Sequence, residues 1–171
     1  IIGFLTRERW PEDATAGDFL ELVLRRWQEL DDHPQRTLFD PASRRAVRSF
    51  FENGGDELHL FAVCIESEDE IRHRTGDDGP LAPLLHRLRA EDDIALLAVP
   101  SAAYMRCEVQ RNGAVRCDAD ALYDELLAHC RQMTNRFLVL DAPRGLHGEV
   151  LLRWFESFRA REPENRCFGA V

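Results

Sequence analysis

The sequence contains no lysine. All 22 basic residues are arginines, in a chain of 171 residues. A nucleotide-binding loop of the G-x-x-x-x-G-K-[ST] type is therefore excluded, because its lysine contacts the phosphates. Any ion pair that the protein makes with a partner has to use the planar, bidentate guanidinium group.

Long apolar runs are also missing. No stretch approaches the roughly 18 consecutive apolar residues of a transmembrane helix. The first residues, Ile1–Thr6, lack the basic leader and the small-residue cleavage site of a signal peptide. Because the chain opens inside this hydrophobic run and without an initiator methionine, we expect it to be part of a longer protein.

Cysteine is scarce and follows no C-x-x-C pattern. The chain is long enough to bury a core without covalent links, so the sequence predicts no disulfide framework. Cys64 and Cys130 lie in apolar stretches and are expected to be buried thiols. The five cysteines are Cys64, Cys107, Cys117, Cys130 and Cys167.

The charge balance excludes nucleic acid as the main partner. The net charge is −9, whereas contacts to phosphates require clustered cations. Hydrophobic residues make up 44% and charged residues 31%, which is typical of a soluble globular protein of about one domain.

Catalytic and metal-binding motifs are lacking, so we expect no catalytic residue, no cofactor and no metal. Asp141 follows an apolar strand, where α/β enzymes place catalytic groups, but a loop-capping aspartate is the favoured interpretation. The carboxylates of residues 91–93 are similarly more typical of a solvated turn than of a divalent cation site. No nucleophile elbow contains any of the serines at 43, 49, 67, 101 and 157. The histidines at 33, 59, 73, 86, 129 and 147 do not have the spacing of metal ligands.

Hydrophobic periodicity predicts alternating strands and helices in the first half of the chain. A helix is expected from Asp18 to Asp31, followed by a second helix with Asp40 as N-cap and Pro41 in its first position. The second helix should end at Asn53-Gly54-Gly55, since glycine reaches positive φ easily. Strands are expected over 1–6 and 58–65, and an exposed loop over 66–80.

The second half continues this alternation. The Asn112-Gly113 pair indicates a tight hairpin within 101–117. Two apolar runs, 94–99 and 137–140, predict central strands that are covered on both faces. Helices are expected over about 81–88, from Asp118 or Asp120 through Cys130, and over about 147–159, with an extended segment at 166–171. The whole pattern predicts a single α/β domain, with a largely parallel central sheet and helices on both faces.

Four ordered segments resemble the middle portion of contractile tail sheath proteins from phages and related injection systems. They are Ile2-Gly3-Phe4; the run Ala46-Val47-Arg48-Ser49-Phe50-Phe51-Glu52-Asn53-Gly54-Gly55; the run Asp92-Asp93-Ile94-Ala95-Leu96-Leu97-Ala98-Val99-Pro100; and His129-Cys130 with Arg136-Phe137-Leu138-Val139-Leu140-Asp141-Ala142-Pro143. In this family extended N- and C-terminal arms add strands to the sheet of an adjacent subunit. We expect residues 1–171 to be the core domain, without the N-terminal arm and the C-terminal domain.

The resemblance implies a structural subunit that polymerises around an inner tube and contracts to drive the tube through a target envelope. Its implied partners are other copies of itself in stacked rings, the inner tube protein, and baseplate and tail terminator proteins. It implies no enzymatic activity, no nucleic acid and no direct membrane insertion. Assembly would occur in the bacterial cytoplasm, as part of a phage tail or a phage-tail-like particle.

Two other functions fit the residues. One is a small α/β hydrolase or transferase with its site at the strand ends near Pro100 and Asp141. The other is an interaction domain that uses its two polar loops.

Opposite charges on Arg44, Arg45, Arg48 and on the acidic stretch 66–78 could set the register between subunits.

Overall fold

The structure is a computed structural model that describes residues 1–73, 76–161 and 169–170. These residues form one mixed α/β domain, which confirms the expected class. Its helices are α1 (Gln28–Asp31), α2 (Pro41–Glu52), α3 (Glu68–His73), α4 (Ala82–Leu88), α5 (Ala119–Met133) and α6 (Gly148–Arg161). Its strands are β1 (Ile2–Thr6), β2 (Phe19–Leu24), β3 (Leu58–Ile65), β4 (Leu96–Ala98), β5 (Cys107–Val109), β6 (Val115–Cys117), β7 (Phe137–Val139) and β8 (Gly169–Ala170).

The strands form three small sheets and not the single, largely parallel sheet that the sequence predicts. Sheet A has the order β1-β3-β2, sheet B the order β4-β7-β8, and β5 pairs with β6 alone. Sheet B is parallel, whereas β2 runs antiparallel to β3 in sheet A. β1 lies at one edge of sheet A and β4 at one edge of sheet B. Among the described strands, no ladder of backbone hydrogen bonds joins the two sheets.

The helix predicted from Asp18 is wrong, because residues Phe19–Leu24 form strand β2. Their apolar positions fit a helical and an alternating pattern equally well. Pairing with all of Leu58–Val63 on β3 satisfies their backbone groups and selects the strand. Only the four residues of α1 remain of the predicted helix.

Two hydrophobic clusters give the fold its layers. The larger cluster lies between one face of both sheets and the helices α3–α6, with Trp154, Tyr123 and Phe61 among its buried side chains. The smaller cluster lies on the opposite face of sheet A, where Val47 of α2 packs against Leu60. Sheet A is therefore covered on both faces.

Helix α2 begins and ends as the sequence predicts. The Asp40 carboxylate caps its N-terminus by accepting hydrogen bonds from the N–H groups of Ala42 (2.8 Å) and Ser43 (3.0 Å). Pro41 occupies the first helical position. The Gly3 backbone approaches this cap so closely that a Cβ there would lie 2.8 Å from Asp40 Oδ2. The start of α2 is thus held directly against β1.

The stretch 66–80 is not the exposed loop that its polar composition predicts. Residues Glu68–His73 form α3, and Gly76–Asp78 form a 3-10 turn. Ile71 is buried in the larger cluster, and the Glu70 carboxylate accepts the Glu66 N–H at 2.8 Å. Ile71 thus anchors α3 on the larger cluster, and the Gly76 N–H donates to the Glu125 carboxylate of α5 at 3.2 Å.

The predicted hairpin is confirmed, but it carries an unexpected disulfide. Gly113 turns the chain at φ 82° between β5 and β6. Cys107 and Cys117 lie directly opposite each other and are bonded, although the sequence predicts no disulfide framework. Cys64 and Cys130 are free and buried, as predicted. Cys167 lies outside the described residues.

The last two helices confirm their predicted apolar faces. Asp118 occupies the N-cap position of α5 without a side-chain capping bond. Asp120 instead accepts hydrogen bonds from the Cys117 N–H and the Trp154 indole N–H, which ties α5 to β6 and α6. Of the extended segment predicted at 166–171, residues 169–170 are described and pair with β7. None of the described helices has the length and apolar character needed to cross a bilayer.

Candidate interaction groove

One face of sheet B is apolar, and none of the described elements covers it. Leu96 is 60% exposed, Phe137 49% and Val139 40%. The strand register places Leu96 beside Phe137 and Ala98 beside Val139, on the side opposite the buried Leu97 and Leu138. The sequence-based expectation that these strands are covered on both faces is therefore wrong. A contiguous exposed apolar patch of this kind is typical of an interaction surface.

The edge of sheet B next to this face is open. β4 pairs with β7 on one side, where the Phe137 N–H donates to the Ala95 carbonyl at 2.8 Å. Successive residues of a strand direct their backbone groups to opposite sides, so Leu96 and Ala98 present theirs to the free edge. No other described strand pairs there. An open edge of this type is a template for a further strand.

The open edge forms one wall of a groove of about 930 Å³. Every residue from Asp93 to Ala98 lines this wall, with Val139 and Asp141 beyond it. The opposite wall consists of the end of α2, the Asn53-Gly54-Gly55 turn and the first residues of β3. The groove therefore lies between sheet B and the layer that covers sheet A.

The glycines of the turn determine the shape of the second wall. The Gly55 N–H donates to the Phe50 carbonyl and the Gly54 N–H to the Phe51 carbonyl, which is the Schellman arrangement at a helix C-terminus. Gly54 has φ 89°. A Cβ on Gly55 would lie 2.2 Å from the Phe50 ring. Both positions therefore require glycine if Phe50 is to line the groove.

The groove is acidic at its rim. Four carboxylates line it, on Asp56, Glu57, Asp93 and Asp141. No arginine is found among the described lining residues, although the chain has 22. Partial burial raises the pKa of Asp141 above its usual range. The groove thus offers apolar walls and negative charge to an occupant.

A charged network holds the β3 side of the groove. His59 Nδ1 lies 2.8 Å from Glu21 Oε1, and the other oxygen of Glu21 accepts from Arg87 Nη2 at 3.2 Å. Arg87 also donates to Glu91, which lowers the pKa of that carboxyl and raises the pKa of the guanidinium. These contacts join β2, β3, α4 and the segment that follows α4. The network fixes the wall that carries His59.

The structure brings together some of the residues that the sequence singles out. Asp141 and Pro100 both line the groove, as does Asp93 of the acidic triplet. Glu91 of that triplet is bonded to Arg87. In the described parts of the chain, no group of three or more histidine, cysteine, aspartate or glutamate side chains is arranged to hold a metal ion.

The histidine and cysteine that adjoin on α5 are buried separately. His129 is 4% exposed, and its Nε2 lies 3.1 Å from Nη1 of the buried Arg136. Burial, with the charges of Arg136 and Arg89, lowers the pKa of His129 to about 4. Burial raises the pKa of the Cys130 thiol to about 11. Arg136 also donates to the Leu88 and Glu91 carbonyls, so it caps the end of α4.

The arginine cluster on α2 is partly used within the chain. Arg48 pairs with Glu52 at 2.7 Å and lies over the Trp27 ring. Arg45 donates to the Tyr104 hydroxyl at 2.7 Å. In the acidic stretch, Glu66 pairs with Arg7 at 3.2 Å. Part of the charge on the arginine cluster and on the acidic stretch is therefore engaged within the chain. Less of it is available to a partner than the sequence predicts.

The sequence did not reveal the open face and edge of β4. A run that is apolar throughout has the same composition whether both faces or only one face is covered. The exposure of Leu96, Phe137 and Val139 shows that no second layer of described residues covers sheet B. No protein-family model matches the chain, and no curated protein sequence matches it.

Proposed function

We propose that the protein is a structural subunit of a contractile sheath, which polymerises around an inner tube and contracts to drive the tube through a target envelope. The single observation that carries this proposal is the open β4 edge beside an uncovered apolar face. The four sequence segments that resemble tail sheath proteins support the proposal independently of this observation. The Asn53-Gly54-Gly55 segment and the Leu96–Ala98 segment lie on opposite walls of the same groove.

The occupant of the groove would be an extended segment of another copy of the protein. A strand added beside β4 would satisfy the free backbone groups of Leu96 and Ala98. Its side chains on the exposed side of the sheet would lie beside Leu96 and extend the apolar face that Leu96 forms with Phe137 and Val139, and the neighbouring copy that donates the strand would cover this face. Its basic residues would be arginines, because the protein has no lysine, and they would face the carboxylates of the rim.

Such an assembly stores free energy in the contacts between subunits. The subunits would remain nearly rigid while their lattice changes, and the fall in free energy on repacking would drive the tube. The added strands would keep neighbouring subunits connected as other contacts break. The further partners would be the inner tube, baseplate and tail terminator proteins, and assembly would take place in the bacterial cytoplasm.

The test is the change Leu96→Glu in the protein expressed at the full length of its gene. A carboxylate at this position would lie without a partner among the apolar side chains of the added strand and under the neighbouring copy, which costs several kcal/mol. We expect the protein concentration needed for tube formation, measured by negative-stain microscopy and sedimentation, to rise by at least ten-fold.

Leu152→Glu is the matched control. Leu152 is 56% exposed, close to the 60% of Leu96, but it lies on α6. We expect Leu152→Glu to assemble as the unchanged protein does. Normal tubes from Leu96→Glu, or an equal loss from Leu152→Glu, would contradict the proposed role of the groove.

A further inference from the structure

A second cleft, separate from the groove, lies at the carboxyl ends of the parallel strands β1 and β3. It has a volume of about 380 Å³, which is in the range of small-molecule sites. Its apolar lining comes from Phe4, Ile65, Ile71 and Met105. Its polar side is formed by Arg9 and by residues of α2 and of the 3-10 turn Pro100–Tyr104.

Hydrogen-bond donors in this cleft lack acceptors. The Ser101 hydroxyl oxygen is buried and has no hydrogen-bond partner. The Tyr104 hydroxyl accepts from Arg45 Nη2 at 2.7 Å, and its own proton has no acceptor among the described residues. The buried Ser101 hydroxyl is costly to leave without a partner, whereas Tyr104 is 51% exposed; together the two hydroxyls favour a ligand that accepts hydrogen bonds.

Positive charge is concentrated around the same tyrosine. The Arg144 guanidinium carbon lies 4.6 Å from the centre of the Tyr104 ring, and that of Arg45 lies 5.9 Å from it. No ion pair joins Arg9, Arg45 or Arg144 to a carboxylate within the described ranges. In a chain with a net charge of −9, Arg9 and Arg45 thus line the cleft, and Arg144 lies against the same tyrosine outside the lining.

The one carboxylate in the lining is already engaged. Asp40 Oδ1 accepts the N–H groups of Ala42 and Ser43, and Oδ2 accepts the Ser43 hydroxyl at 2.5 Å. Both carboxylate oxygens of Asp40 therefore accept hydrogen bonds from the first turn of α2. The free groups of the cleft are donors and cations.

We propose that this cleft binds an oxyanion, a carboxylate or a phosphate, carried on a small apolar body. The anion lies between Arg45 and Arg9 and accepts hydrogen bonds from the Ser101 and Tyr104 hydroxyls. The apolar body packs on Phe4, Ile65 and Met105. This inference is independent of the sheath proposal, since no residue of the groove takes part.

Isothermal titration calorimetry tests this proposal with benzoate, phenyl phosphate and the neutral benzyl alcohol as probes. We expect benzoate, phenyl phosphate or both to bind, and benzyl alcohol to bind at least ten-fold more weakly. Binding of benzoate alone assigns a carboxylate ligand, and binding of phenyl phosphate alone assigns a phosphate ligand. Absence of binding by both anions at millimolar concentration overturns the proposal.

Three variants locate the site. Arg45→Gln and Ser101→Ala are each expected to weaken binding of the anion, by about ten-fold for the arginine, because a charge-assisted hydrogen bond is lost. Arg48→Gln is the matched control on the same helix, because Arg48 is paired with Glu52 outside the cleft. An equal loss in Arg48→Gln, or unchanged affinity in Arg45→Gln, contradicts the assignment. Because Arg45 is exposed, we expect Arg45→Gln to fold as the unchanged protein does, and its melting temperature checks this.

Discussion

At the scale of single residues, the two glycines after α2 carry different constraints. Gly54 needs its positive φ, so Gly54→Ala should lower the free energy of unfolding by about 1 kcal/mol. Gly55 needs space, because a Cβ would meet the Phe50 ring at 2.2 Å. Chemical denaturation of Gly54→Ala and Gly55→Ala measures both costs.

A double-mutant cycle separates the two mechanisms. In a Phe50→Leu background, Gly55→Ala should cost less than in the unchanged protein, since the ring is gone. The cost of Gly54→Ala should be the same in both backgrounds. If Phe50→Leu leaves the cost of Gly55→Ala unaltered, the ring is not the reason for the glycine.

The buried His129 predicts a loss of stability in acid. Its pKa is about 4 in the folded chain and about 6.5 when unfolded, so the unfolded chain binds the proton first as pH falls. The contribution of neutral His129 to the free energy of unfolding is fully present above pH 6.5. It decreases as the pH falls towards 4, by about 3 kcal/mol in total.

Comparison with His129→Gln isolates this contribution, because carboxylates titrate over the same range in both proteins. The glutamine carbonyl can still accept from Arg136 but does not bind a proton. We expect the free energy of unfolding of His129→Gln to decrease less between pH 7 and pH 4. Parallel pH profiles for the two proteins would show that His129 is not buried in its neutral form.

At the scale of elements, the disulfide closes the β5–β6 hairpin across 10 residues of sequence. A cross-link over a loop of this length restricts the unfolded chain and contributes about 2–3 kcal/mol. We expect a thiol reductant to lower the free energy of unfolding by this amount. The double variant Cys107→Ala/Cys117→Ala should be insensitive to the reductant; a reductant effect that persists in it would place the sensitivity elsewhere.

Elements with local signals were predictable from the sequence. α2 has a side-chain N-cap in Asp40 and a glycine, Gly54, directly after its C-cap, and the hairpin has the Asn112-Gly113 turn. Each of these signals acts within a few residues of the chain. The same locality explains why their boundaries agree with the structure.

Elements that depend on distant partners were not predictable. β2 became a strand through pairing with β3, which is more than 30 residues away by number. The link between Cys107 and Cys117 depends on the hairpin register. The open face of Leu96 and Phe137 depends on where α2 packs, and composition alone carries no information about it.

At the scale of the whole molecule, the two sheets differ in how many layers cover them. Sheet A lies between α2 and the larger cluster, whereas the described helices cover only one face of sheet B. The central claim is that another copy of the protein supplies the missing cover and the strand beside β4. In the proposed assembly, a second copy would complete the half of the molecule that the described elements leave uncovered.

The most direct measurement of this claim is photo-crosslinking from position 96. A benzoylphenylalanine in place of Leu96 would be activated in tubes assembled from the protein at the full length of its gene, and the cross-linked peptides identified by mass spectrometry. Our account predicts links between position 96 and a segment of a second copy of the same protein. Links confined to the same copy, or directed to a different protein, would contradict it.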